Sequence, residues 1–215
     1  GLRLFNEPEQ IALNEYAGVV DDKDEQKKQA AVQRVTEIAN GIITKWASKP
    51  EADVAHLALG RLKILGGQVD EAVKIFRQMN PRSEHYGTAL YLTGYTHWRR
   101  YKNEKRQVEE AVQAGKNAND DPQKRNEVRK QAVEAITQAC SVMKGMVGAD
   151  NKPPRVYFDA RLMLAEMMLE GDDPKEAATL FQPLIDEIEK SGAKGLEPAT
   201  LQAFNGAIQA HLQLN

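Results

Sequence analysis

Apolar residues recur every three or four positions along almost the whole chain, and no segment of convincing apolar–polar alternation occurs. A period near 3.6 marks helices with one buried stripe; a half-buried strand would show a period of two. Breakers interrupt this pattern at regular intervals, and most contain proline: Pro8, Pro50, Pro81, Pro122, Pro153-Pro154, Pro174 and Pro198. Each stands ahead of a helical pattern. Proline suits the first helical turn because its missing N–H would have no intrahelical partner there. The pattern predicts helices at about 7–20, 23–47, 51–66, 69–80, 83–117, 122–147, 154–170, 174–190 and 198–213.

Local signals sharpen some of these ends. Asp173-Pro174-Lys175-Glu176 reads as an N-cap, a first-turn proline and the third position of a capping box. Asp121-Pro122 reads the same way. Gly66-Gly67 is a turn between helices. Pro183 falls inside TLFQPLIDEI and predicts a kink rather than a stop, because Leu184, Ile185 and Ile188 keep the period. In the last segment Leu201, Phe204, Ile208 and Leu212 share one face, as in a helix lacking its partner. If that helix instead caps a stack, its outer face should be polar, which Gln202, Asn205, Gln209 and Gln213 partly satisfy.

Residues 56–81 place Leu59-Gly60, Gly67, Asp70-Glu71-Ala72, Phe76 and Pro81 in an order and spacing that resembles one tetratricopeptide repeat. Such a repeat is two short antiparallel helices joined by a tight turn. Gly94 follows Gly60 by 34 residues, one repeat period, and Leu90, Gly94 and His97-Trp98 resemble the next first helix. The turn expected about seven residues later is absent. This pair reads as two lengthened helices, with Ala132 and Ile136 as packing residues of the second. Leu164-Ala165, Met168, Gly171, Ala177 and Phe181 resemble the pattern again. Ala72 and Ala177 let the second helix approach the first closely, while Phe76 and Phe181 fill the space one turn on. The resemblance implies an all-α fold of antiparallel helix-pair repeats stacked into a right-handed α-solenoid. The pairs are 7–47, 51–80, 83–147 and 154–190, with a terminal helix at 198–213, in a single domain over residues 1–215.

In that family the first helix of each pair builds the inner, concave wall. Carried over, the wall would include Leu57, Ala58 and Arg61, then Thr88, Tyr91, Leu92, Tyr95, Trp98 and Arg99, then Asp159, Leu162, Met163, Glu166 and Leu169. Tyr91, Tyr95 and Trp98 are four and three apart and so share a helix face. With Arg99 and Lys102 they are the residue types that dominate binding hot spots. The competing reading makes this stripe core against the long partner helix. The candidate partner-binding groove is thus Arg61, Tyr91, Tyr95, Trp98, Arg99, Lys102, Leu162 and Glu166. The resemblance implies a non-catalytic scaffold that binds a peptide or protein segment in the groove. The alternatives are a structural self-assembly module, hence a homo-oligomer, and a helical accessory domain of a larger enzyme.

Composition narrows the field. Hydrophobic residues make up 41% and charged residues 28%, in the range of a soluble folded protein. Aromatics are 6%, which suits helices packed through small side chains. With 29 basic and 31 acidic residues the net charge is −2, which leaves no electrostatic footprint for nucleic acid and argues against single-stranded RNA as ligand. Arg99, Arg100, Lys102, Lys105 and Arg106 form a basic run. Its pairs Arg100–Glu104, Lys105–Glu109 and Arg106–Glu110 are spaced for ion pairing on a solvated face. The competing reading is a clamp for an acidic peptide or phosphate, which Arg125, Arg129 and Lys130 would extend.

Cys140 is the single cysteine and sits in the apolar run AITQACSVM, as a buried small hydrophobe would. His56, His85, His97 and His211 show neither HExxH nor paired Cys/His spacing, so no metal site is expected. Asp120-Asp121 and Asp172-Asp173 read as helix caps. No phosphate-cradling loop, nucleophile elbow or dinucleotide fingerprint occurs, so neither a cofactor nor enzymatic activity is expected. No apolar run approaches the roughly 20 residues of a membrane span, and no basic-then-apolar leader opens the chain. The compartment is left open.

Overall fold

The computed structural model describes residues 25–116, 120–146, 153–171, 173–191 and 196–214. Among the described residues there are eight α-helices and no strand: α1 (Glu25–Lys45), α2 (Pro50–Leu65), α3 (Val69–Phe76), α4 (Tyr86–Gln113), α5 (Pro122–Lys144), α6 (Arg155–Glu170), α7 (Pro174–Ser191) and α8 (Glu197–Leu214). The helix expected at 7–20 lies outside the described residues. The others stand within a few residues of their expected places.

The ends have physical causes. Asp121 Oδ1 accepts from the Lys124 N–H and Asp173 Oδ1 from the Glu176 N–H, each at 3.0 Å, so both aspartates are N-caps. At the end of α2, Gly67 takes φ +73°. There the Gly67 N–H donates to the Ile64 carbonyl (3.1 Å) and the Gln68 N–H to Lys63 (2.8 Å), the paired bonds of a Schellman turn. Gly115 closes α4 in the same way with φ +65°. Helix α3 ends at Phe76 rather than near residue 80. Its exit tightens into turns, and the Asn80 N–H donates to Oδ1 of the buried Asp53 (2.9 Å), tying that exit to the start of α2. Helix α7 runs on through Pro183, whose side chain is exposed.

The chain divides into two compact units, residues 1–89 and 90–215. In the first, α2 packs on both α1 and α3 around Val35, Ala39, Ala55, Leu59 and Leu62. Ala72 is fully buried, and a methyl group on Gly60 would overlap the Phe76 ring. The repeat-like residues therefore close the α2/α3 pair by direct contact. In the second unit α5 packs on α6, α6 on α7, and α8 on both α7 and α6. Its core includes Trp98, Ile136, Met143, Phe158, Met167, Phe181 and Leu184. A Cβ on Gly94 would lie 2.5 Å from Ile136 Cγ1 and 3.0 Å from the Ala132 carbonyl oxygen. The lengthened α4/α5 pair thus closes by the same device as α2/α3. Phe181 is fully buried and its ring lies where a side chain on Gly206 would be.

Candidate binding groove

Within the second unit α4, α6 and α8 alternate with their partner helices and face a common cleft of about 310 Å³. It is lined by Trp98 and Lys102 of α4, by Glu166, Leu169 and Glu170 of α6, and by Gln202, Asn205, Gly206 and Gln209 of α8. Trp98 and Lys102 are four apart, Glu166 is three and four before Leu169 and Glu170, and Gln202, Asn205 and Gln209 are three and four apart, so each set lies on one helix face. Helix α8 comes close because Ala199, Ala203, Gly206 and Ala210 are its buried positions. The cleft holds three of the expected groove residues, Trp98, Lys102 and Glu166.

The rest of the α4 stripe extends from this cleft. Tyr91 and Tyr95 are partly exposed, with ring centroids 6.3 Å apart. The Arg99 guanidinium lies 5.8 Å from the Tyr95 centroid. Trp98 is 6% exposed and stacks on Tyr101 at 5.0 Å, so most of its indole belongs to the core. The Lys102 ammonium stands 6.0 Å from the Trp98 centroid and 3.0 Å from a Glu170 oxygen, bridging α4 to α6. Leu162 is buried in the core, while Met163 and Leu169 are partly buried. Arg61 is exposed on α2, in the other unit.

Burial sets the electrostatics of the α6 wall. It pushes the half-buried Glu166 carboxyl above the ordinary glutamate range, against the pull of Lys102 and reinforced by Glu170. Asp159, two turns earlier on α6, is raised by burial against the pull of Arg155. The Tyr91 phenol is pushed up to about 12, by burial first and then by Asp159, Tyr95 and Glu166. Tyr91 therefore stays protonated, a hydrogen-bond donor beside two carboxylates. The groove has an aromatic and cationic side on α4 and an acidic side on α6.

The basic run behaves as a solvated face. Arg100 pairs with Glu104 at 3.0 Å and Arg106 with Glu110 at 3.2 Å. Arg125 pairs with Asp120, Lys130 lies 4.0 Å from Glu134, and the Arg129 guanidinium lies against Gly171 at the C-terminus of α6. That last placement sets a cation at the negative end of a helix dipole. Cys140 is partly buried against the core, and burial pushes its thiol up to about 11. No metal-binding group of His, Cys, Asp and Glu exists among the described residues, and no described helix is long and apolar enough to cross a membrane.

Sequence reasoning missed the α8 side of the cleft. Gln202, Asn205 and Gln209, which with Gln213 would be the polar outer face if α8 capped a stack, line the cleft, while Leu201, Phe204, Ile208 and Leu212 are exposed, as on a helix lacking its partner. The small residues four and three apart at 199, 203, 206 and 210 were the available signal. A second cleft, of about 560 Å³ in the first unit, was also missed. It gathers Lys49 and the first-turn Glu51 and Asp53 of α2 with Asn80, Arg82 and His85 of the segment after α3, at one end of the α2/α3 pair.

Antiparallel helix pairs closed by small-residue contacts define an all-α helical-repeat protein. No family model matches the sequence, and no curated protein matches it. Solved structures do match in fold. The crystal structure of a Podosopora anserina putative kinesin light chain with nearly identical TPR-like repeats aligns with TM-score 0.61 at 14% identity, over 98% of this chain and 86% of that one. A point variant of that protein aligns with TM-score 0.62 at 13% identity over the same shares. The chain has the TPR-like helical-repeat fold.

Proposed function

We propose that this chain is a non-catalytic binding scaffold that takes a peptide or protein segment in the groove along α4, α6 and α8. The observation that carries the reading is the cleft itself. It sets the partly exposed lining of three alternate helices around one space and mixes apolar, cationic, acidic and amide groups. Clefts of that make-up orient a ligand through a few polar contacts while burying its apolar surface. Tyr91 and Tyr95 supply contact area at low entropic cost, Arg99 and Lys102 face an acidic group, and Asp159 and Glu166 face a basic one. A segment carrying both charge signs and at least one apolar side chain matches this surface.

The test pans the immobilised chain against a displayed library of random peptides, then re-measures each selected peptide on a Tyr95→Ala/Lys102→Ala chain. Both side chains are partly or fully exposed, so helicity should be unchanged. Binding weakened at least about tenfold, the loss of a typical hot-spot contact, supports the groove. An empty selection, or peptides indifferent to the double change, rejects it.

A further inference from the structure

Helix α8 has three faces. Ala199, Ala203, Gly206 and Ala210 are buried against α6 and α7, and Gln202, Asn205 and Gln209 line the groove. The third carries Leu201, Phe204, Ile208 and Leu212, which are 63%, 43%, 57% and 71% exposed. The small residues face inward and the bulky ones face water, the reverse of a helix that ends a stack with a solvated surface.

We propose that two copies of this chain associate through this face, α8 against α8 across a two-fold axis. Three observations select a second copy as the occupant. The first is area. The four side chains leave roughly 450 Å² of apolar surface in water, a patch size that is commonly functional on a monomer. A standard interface buries about 800 Å² per partner with somewhat over half of it apolar, so the stripe supplies the apolar centre of such an interface. The second is charge. Between residues 198 and 214 the only ionisable side chain is His211. A two-fold axis brings each residue near its own copy or its neighbours, and a charged face would repel itself there. The third is the rim. Asn205 and Gln209 flank the stripe, and an amide carries donor and acceptor together, so it is complementary to its own copy. The spacing 201, 204, 208 also follows the three–four alternation of a seam between two helices. The stripe itself lies outside the cleft and only Asn205 and Gln209 border both, so changes at Leu201 and Ile208 test this proposal apart from the ligand read into the groove.

Sedimentation velocity on the chain from about 1 µM to a few hundred µM, the range in which a small apolar interface populates, tests it. We expect a monomer–dimer equilibrium that a Leu201→Asp/Ile208→Asp change weakens at least about tenfold. The helical circular dichroism should not change, since both positions are exposed. Tyr95→Ala/Lys102→Ala should dimerise as the parent does. Because the aspartates could disturb α8 itself, Ile208→Cys in a Cys140→Ser background gives a second readout. Under mild oxidant it should form a covalent dimer at a rate that rises with concentration. A chain that stays monomeric throughout, or one that dimerises equally with the aspartates in place, overturns the proposal. So does an Ile208→Cys chain that fails to cross-link while dimeric.

Discussion

At the residue scale, Glu166 shows how the groove holds charge at a cost. Its carboxyl is raised by burial, so the folded chain holds that proton more tightly than the unfolded chain does. Where the folded state binds more protons, stability falls as pH rises. Below the ordinary glutamate range of about 4 both states are protonated and Glu166 contributes no difference. As pH climbs through that range and the raised folded value, the folded state loses stability. Above it the loss is constant. Glu166→Gln keeps the shape and removes the charge. Its thermal midpoint should equal the parent's near pH 4 and exceed it near pH 7. A midpoint below the parent's near neutral pH would show that the attraction of Lys102 outweighs burial. The place of Glu166 on the wall that lines the cleft was legible, because it followed from its position on the first helix of a repeat-like pair. Its altered ionisation was not, since that depends on how closely α4 and α8 cover it.

At the element scale, the device that closes each helix pair is the absence of a side chain. Gly60 receives the Phe76 ring and Gly94 receives Ile136, each with an alanine, Ala72 or Ala132, four residues before on the second helix. This was readable in advance because close helix approach needs small residues at fixed spacing, whatever the helix length. It held even for α4/α5, where the lengthened helices hide the usual turn signals. What was legible only in part, through its small residues, was the direction of α8. Its bulky stripe and its small stripe have the same period, and only the neighbours decide which is buried. Gly94→Ala tests the closure. The added methyl meets Ile136 and the Ala132 carbonyl, and overpacking of this kind costs about 1–3 kcal/mol. Ile136→Val alone costs about 0.5–1.5 kcal/mol as a deleted buried methyl. Combined, the two should cost less than their sum, because the shorter side chain makes room for the new methyl. Additive losses in chemical denaturation would place the strain elsewhere.

At the scale of the whole molecule, the described residues form two cores. One gathers around Val35, Leu59 and Leu62, the other around Ile136, Phe158 and Phe181. The sequence pattern suggested one continuous array, because α4 (Tyr86–Gln113) crosses the boundary between residues 89 and 90 without a breaker. Contact density, not a linker, makes the division. Repeat proteins owe stability to each repeat and its nearest neighbours, so a local lesson in one core should not spread evenly. Ala72→Asp supplies the lesion. Ala72 is fully buried beside Val73 and Phe76, and an unpaired carboxylate there is among the most destabilising single changes. Hydrogen–deuterium exchange read by peptide should show the amides of α1 to α3 losing protection by several orders of magnitude, as local opening becomes cheap. Amides of α5 to α8 should exchange close to the parent rate. If protection fell equally in all the helices, the two cores would unfold as one cooperative unit. The division seen in the contacts would then have no energetic counterpart.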